Sequence, residues 1–301
     1  MNRRDFIQKT CFLSTGLYWN ALPEALSDSS IKLTILHTND THSRIDPFPS
    51  HHHKYPNMGG VAKRSSLIEK IRKEEKNVLL LDAGDFFQGT PYFNFFHGEV
   101  EIKALSALGY DVVTLGNHDF DAGLSGLIRQ LPHANFQIVS ANYVFEEQEL
   151  KQKVKPYVII NKDKLRIGIF GLGVKLEGLV PAKFFANTKY IEPVEIAKEL
   201  VQELKNKKVD YIICLSHLGL EYEYERICDK QLATLVEGID LIIGGHTHTF
   251  LKEPLVVTHP ISGHQTVICQ VGFAGIWLGR IDIRFETTRK KRIATSHITV
   301  I

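Results

Sequence analysis

Apolar residues in this chain fall into short unbroken runs separated by amphipathic stretches. The runs are Ile31–Leu36, Val78–Leu81, Val112–Leu115, Leu165–Phe170, Val209–Leu215 and Ile239–Ile243. They are continuous rather than alternating, as expected of parallel strands covered on both faces. Between them, Val61–Lys76, Val100–Leu108, Val194–Lys207 and Glu223–Glu237 carry apolar residues at helical spacing with charges on the other side. This alternation predicts an α/β layered domain. Further on the pattern changes: Gln265–Val271, Trp277–Phe285 and Ile293–Ile301 read as consecutive strands, predicting an antiparallel or mixed second sheet. No internal repeat, long linker or low-complexity segment interrupts residues 31–301, which read as one domain.

Composition narrows the partners. With 44% hydrophobic and 23% charged residues the chain is an ordinary globular one, which excludes disorder, a collagen-like repeat and a coiled coil. Lys plus Arg number 36 against 34 Asp plus Glu, so no strongly basic field exists to hold a polynucleotide backbone. Residues 1–27 read as an address: Arg3-Arg4 followed by Phe6, a mildly apolar stretch Cys11–Leu22, and Ala25-Leu26-Ser27 as a cleavage candidate. The adjacent arginines resemble a twin-arginine signal, which implies export in the folded state to a periplasmic or extracellular location. Nothing after residue 30 is apolar and long enough to cross a bilayer, so no stable membrane insertion is expected. Cys214, Cys228 and Cys269 have neither the parity of a disulfide framework nor thiolate zinc spacing, and Cys214 and Cys269 read as buried small hydrophobes.

Fourteen histidines are the unusual feature, and several lie where apolar runs end. The first run leads to Asp40-Thr41-His42, the second to Asp82-Ala83-Gly84-Asp85, and the third to Gly116-Asn117-His118-Asp119-Phe120-Asp121. The next two lead to Ser216-His217 and Gly244-Gly245-His246-Thr247-His248. In open α/β sheets, sites form at the carboxyl ends of strands, where loops from several strands converge. Any one of these clusters could be a plain turn; five in succession after strands point to one site. Aspartate, asparagine and imidazole donors without cysteine suit divalent Mn, Zn, Fe, Co or Ni.

The order D-x-H, G-D-x-x-x-G, G-N-H-D, H, G-H-x-H resembles the calcineurin-like metallophosphoesterases. Leu33–Ile45 and Tyr110–Asp121 resemble the two signature segments of the 5′-nucleotidase family, and the likeness extends through Gly59–Ala62 and Gly275–Ile283. It implies a four-layer α/β/β/α sandwich of two mixed β-sheets flanked by helices. Carried over by position, it implies Asp40, His42 and His248 on one divalent ion, Asn117, His217 and His246 on a second, and Asp85 bridging both. It also implies His118 as a proton or hydrogen-bond donor to the ester, oriented by Asp121. The implied reaction is two-metal hydrolysis of phosphate esters by an activated water, without a phosphoenzyme. Asp119 stands where the family more often has Glu; neither is a ligand there, so little is expected to hang on it.

Family 5′-nucleotidases carry a C-terminal domain that grips the base, and its motifs are absent from these residues. The expected substrate is therefore a small phosphoester, nucleotide first, with a separate polypeptide as a partner that could supply the missing domain. The competing readings are a 2′,3′-cyclic-nucleotide or nucleotide-sugar phosphodiesterase, and a non-catalytic metal-binding docking protein. Other residues are set aside. His51-His52-His53 reads as a solvated loop tip, His37 as a supporting or packing residue, and Asp82 as a turn hydrogen-bonder. Phe86–Phe96 reads as core or helix packing rather than a base slot, and Lys63 and Arg64 as solvated.

Overall fold

In the computed structural model, which describes residues 30–286 and 291–301 (side chains to 286 and from 298), each continuous apolar run becomes a strand. The leader pattern at 1–27 lies outside the described residues. Strands β1 (Ile31–Thr38), β2 (Val78–Asp82), β3 (Val112–Thr114) and β4 (Gln137–Val139) lie side by side and parallel. The short β5 (Tyr143–Val144) stands apart, and β6 (Val154–Lys155) closes that edge. The antiparallel hairpin β7 (Tyr157–Lys162) and β8 (Leu165–Gly173) starts a second sheet. After β9 (Lys189–Tyr190), which pairs with β5, strands β10 (Tyr211–His217) and β11 (Leu241–Gly244) extend the second sheet in parallel from β8. β12 (Leu255–Thr258) and β13 (Gln265–Cys269) complete it.

The last hairpin, β14 (Trp277–Phe285) with β15 (Lys291–Val300), returns to the first sheet antiparallel to β1. The sheets are therefore β15-β14-β1-β2-β3-β4-β6 and β12-β13-β11-β10-β8-β7, both mixed. This corrects the expectation that the three late strands share one sheet. The crossing between sheets falls at residues 270–276, where Asn39 Oδ1 accepts the Val271 N–H (2.9 Å) and the Ala274 N–H donates to the Asp40 carbonyl (2.7 Å). Those bonds take the backbone groups that a continuing ladder would have used.

Period-2 alternation sorts each strand's side chains between a central and an outer core. Leu33, Ile35, Leu79 and Leu81 meet Ile167, Ile169, Ile213 and Leu215 between the sheets. Leu36, Leu80 and Val113 face outward into a core shared with residues of the helices Val61–Glu74, Glu99–Leu108 and Gly123–Gln130. Phe170, Ile212 and Ile242 do the same beneath Pro193–Asn206 and Asp229–Leu235. The result is the four-layer α/β/β/α sandwich. Residues 31–301 form one compact unit, and no helix among the described residues is long and apolar enough to cross a membrane.

Two local expectations fail. Only Asp229–Leu235 of the Glu223–Glu237 stretch is helical. The Asp229 N–H is committed to the Gly219 carbonyl (2.8 Å), and its carboxyl turns inward to the Ser216 hydroxyl, so residues 220–228 form a loop. Arg64 is buried, not solvated: its guanidinium lies over Gly275, where a Cβ would stand 2.2 Å from Nη1. Lys63 is exposed as expected, and the three cysteines after residue 27 are buried and free.

The two sheets approach closely at Gly171 of β8. A Cβ there would lie 2.3 Å from the Val139 carbonyl oxygen and 2.4 Å from Thr114 Oγ1, and the Ala141 N–H donates to the Gly171 carbonyl (2.8 Å). Gly171→Ala should therefore destabilise the fold by ~1–3 kcal/mol, the usual cost of overpacking. Denaturant midpoints measure this; an unchanged midpoint would contradict the close approach.

Candidate metal centre

Strands β1, β2, β3, β10 and β11 bring the five polar clusters to one edge of the sandwich, at their carboxyl ends. There the side chains sort into two groups. Asp40, His42 and His248 place one potential ligand atom each within 4.8 Å of one another, and so do Asp85, His217 and His246. Asn117 stands beside the second group, after β3. Its Oδ1 is buried without a hydrogen-bond partner.

The hydrogen bonds fix which imidazole atoms point inward. His217 Nδ1 lies 2.7 Å from the Ala83 carbonyl oxygen, so it must be the N–H, which leaves a lone pair on Nε2. That lone pair faces Asp85 Oδ2 at 3.0 Å. His42 Nδ1 donates in the same way to the Phe87 carbonyl (3.3 Å), and its Nε2 meets His248 Nε2 at 2.9 Å. His248 Nε2 is also 3.3 Å from Asp40 Oδ1. Imidazole nitrogens and carboxylate oxygens that converge this closely must share protons, or hold a cation in their place.

Protonation shows the same demand. Burial alone would lower the His217 pKa, but the adjacent Asp85 carboxylate pushes it up to about 10. Burial alone would raise Asp85, yet His217, then His42 and His118, hold it well below the usual carboxylate range. His246 is lowered to about 4, by burial first and then by the neighbouring His217 charge. In the protein alone a proton thus bridges His217 and Asp85, where a metal ion can displace it. Carboxylate, carboxamide and imidazole donors, with the buried Asn117 Oδ1 lacking a hydrogen-bond partner, fit divalent cations.

Holding these groups requires a strained backbone. Asp40, His42, Asp85, His246 and His248 have φ of 49°, 45°, 58°, 70° and 51°, so five of the seven candidate ligands sit in the left-handed region. Each such residue costs on the order of 1–3 kcal/mol and persists only when its surroundings over-determine it. Asn39 is one brace: its Nδ2 donates to Asp40 Oδ2 (2.7 Å) and to the Gly272 carbonyl (2.6 Å). Asp119 is another. This fully buried carboxyl accepts the N–H groups of Gly116 and Asp85 on Oδ2, and of Phe86 and Phe87 on Oδ1, at 2.8–3.1 Å. Burial and the Asp85 charge raise its pKa, while the N–H donors pull it down. Its carboxyl thus ties the Asp85 turn to the Asn117 turn, a structural role beyond its being a departure from the more frequent Glu. Gly116 is required between them, since a Cβ there would lie 2.2 Å from Asp85 Oδ1.

His118 opens a 3₁₀ turn, His118–Phe120, and its backbone N–H donates to Asp85 Oδ1 (2.7 Å). Its Nδ1 donates to Asp121 Oδ2 (2.8 Å), and that hydrogen bond raises the imidazole pKa. The ring is half-buried and stands edge-on to His42 with centroids 5.3 Å apart, so Nε2 is the edge left to meet a ligand.

The residues set aside have structural places. His37 is buried against Gly279, and burial lowers it to about 4. Asp82 accepts the Gly84 N–H (2.9 Å) and the Thr38 hydroxyl (2.5 Å). His51 and His53 are exposed, but His52 packs on Phe48 and stacks on Tyr55. The aromatic stretch divides: Phe86, Phe87 and Phe93 enter the core, while Phe95 and Phe96 on the helix Pro91–Phe96 are exposed.

Residues 33–250 match the model of the calcineurin-like phosphoesterase family. The chain is 36% identical over 293 residues to a snake venom 5′-nucleotidase of Gloydius brevicauda, a match covering 91% of this chain and 49% of that protein. It is likewise 36% identical over 288 residues to a 5′-nucleotidase of Bos taurus, covering 88% of this chain and 48% of the other. Among solved structures, the 5′-nucleotidase precursor of Thermus thermophilus superimposes with a TM-score of 0.81 at 32% identity, over 90% of this chain and 55% of that one. The chain belongs to the calcineurin-like phosphoesterase family and spans about half the length of the relatives it matches.

Asp119→Asn preserves shape but turns one acceptor oxygen into a donor facing two buried N–H groups, each costing about 1–3 kcal/mol when unsatisfied. It should lower the melting temperature and release bound divalent metal on dialysis, followed by elemental analysis. A variant that retains metal as the parent does would show that Asp119 does not hold the Asp85 turn.

Proposed function

We propose that this member of the calcineurin-like phosphoesterase family hydrolyses phosphate monoesters, nucleotides first among them, at a two-cation centre. The observation that carries the reading is the pair of convergent donor groups beside a carboxylate-paired histidine. Asp40, His42 and His248 would hold one divalent ion, Asn117, His217 and His246 the other, with Asp85 shared between them. When bound, such ions supply Lewis-acid activation of water and of the phosphoryl group.

The chain's own residues do the rest. Seven fixed donors, only two of them carboxylates, leave a site of net positive charge once loaded, which attracts a phosphoester dianion. His118 presents Nε2 to the ester and gives a proton to the departing alkoxide; Asp121 holds the ring and keeps that proton on it towards neutral pH. Export through residues 1–27 by the twin-arginine route belongs to the same reading, supported by the Arg3-Arg4 pattern. A separate polypeptide that grips the base is a partner the reading accommodates; adding it would raise nucleotide kcat/KM without altering metal content.

The test separates alkyl from aryl leaving groups. AMP has a poor leaving group and needs a proton, whereas p-nitrophenolate departs without one. After loading with Mn, Zn or Co, His118→Ala should lose roughly 10²–10⁴ in kcat on AMP, the usual worth of general acid help. The loss on p-nitrophenyl phosphate should be clearly smaller, and Asp121→Asn should give a weaker version of the pattern. Equal losses on both substrates with metal retained would contradict the proton-donor role. Preferential cleavage of bis-p-nitrophenyl phosphate by the parent would favour a phosphodiesterase.

A further inference from the structure

The parallel ladder between β11 and β13 ends at the pair Ile243–Cys269, just before the turn that carries His246 and His248. Across His246, whose φ is 70°, the Thr247 N–H donates to the Gly245 carbonyl (2.9 Å). That is a γ-turn in its positive-φ form, which is rare and strained. His248, two residues on, is again left-handed at 51°. A backbone of this kind keeps its shape only where its surroundings hold it.

Gln270, the residue after β13, supplies that hold. Its side chain is fully buried, and its carboxamide reaches both ends of the turn. Nε2 donates to the Gly245 carbonyl (2.7 Å), ahead of His246. Oε1 accepts the Thr249 N–H, just past His248, and the Thr247 hydroxyl between the two histidines (3.0 Å). The amide can sit only this way round, because the Gly245 carbonyl only accepts and the Thr249 N–H only donates. The segment after Gln270 meets the turn twice more. The Gly272 N–H donates to the Thr249 carbonyl (2.9 Å), and the Phe273 ring stacks on the His248 ring with centroids 5.2 Å apart. The His246 N–H donates in turn to Asp40 Oδ1 and Oδ2 (3.1 and 3.0 Å), so a displaced turn would disturb that carboxylate as well.

We propose that Gln270 is a positioning residue for the centre: by clamping residues 245 and 249 it sets the spacing of His246 and His248, and so the geometry of both cation sites. The inference rests on the two-cation reading above, in which the two histidines serve different ions. The carboxamide bonds the turn and not the donor atoms. Its removal therefore leaves every donor in the chain and changes only where two of them stand. Loss of the clamp should weaken both sites together and abolish neither, which no single unshared donor would do.

Gln270→Met keeps the length of the side chain and removes both the donor and the acceptor. Cobalt(II) is titrated into the metal-free protein, its affinity read by competition with a chelator and its coordination by the visible absorption of the bound ion. The variant should take up two ions per chain, each about 10–100-fold more weakly, the scale for groups that orient ligands. The absorption bands should change for both ions. Thr247→Val removes one of the three side-chain bonds and should move both affinities the same way by less. Thr266→Val removes a buried hydroxyl bonded to the Ile239 carbonyl (2.8 Å) near the other end of β13, and should leave affinities and spectrum as in the parent. An equal weakening in Thr266→Val would reduce the effect to general stability and overturn the clamp. Two ions held by Gln270→Met as tightly as by the parent, with an unchanged spectrum, would overturn it too and leave the two-cation reading standing. If that variant does not fold, the same result in Thr247→Val overturns the clamp. A parent that takes up fewer than two ions would overturn the two-cation reading itself, and with it the shared role of Gln270.

Discussion

The structure depends on one electrostatic constraint: seven donors are turned towards each other in a place where water cannot reach most of them. His217 and His42 spend their Nδ1 protons on the Ala83 and Phe87 carbonyls, which obliges their Nε2 lone pairs to face Asp85 and His248. The carboxylates of such a cluster favour positive charge beside them. Protons can supply it, as the elevated His217 shows, but divalent ions match the donor number and type better. The fold carries the resulting cost in left-handed backbone at five donors, and the bracing network of Asn39, Gly116 and Asp119 makes sense as the counterweight.

The two-sheet sandwich supplies the rigidity this needs. Each donor follows a strand buried on both faces, so its position is set by the central core rather than by its own loop. The return of the chain from the second sheet to the first runs directly behind Asp40, where Asn39 and the Asp40 carbonyl capture its backbone. Sheet topology and donor geometry are thus held by the same hydrogen bonds, and substitutions in this crossing would disturb both.

Much of this is legible in the sequence because it depends on local signals. Continuous apolar runs mark the strands of a doubly covered sheet, and the polar clusters after them contain every residue of the two donor groups. What escapes is what depends on tertiary partners. Asp119 looks like a bystander within Gly116–Asp121, since its four N–H donors come mostly from a turn some 30 residues earlier in the chain. Arg64 has the flanks of a solvated helix start, and only the close approach of Gly275 reveals its burial. Residues 223–228 have helical spacing, but the capture of the Asp229 N–H by Gly219 delays the helix to Asp229. Strand pairing is likewise non-local, so the late strands could be seen but not assigned to their sheets.

The central claim is that Asp85 is shared by two cations, and metal stoichiometry tests it most directly. Elemental analysis of the folded protein, loaded and then dialysed, should give about two divalent ions per chain, as a two-metal site requires. Asp85→Ala should lose both, because removing the shared anion leaves the ions to repel each other. A single tightly held ion, retained equally by Asp85→Ala, would contradict the account.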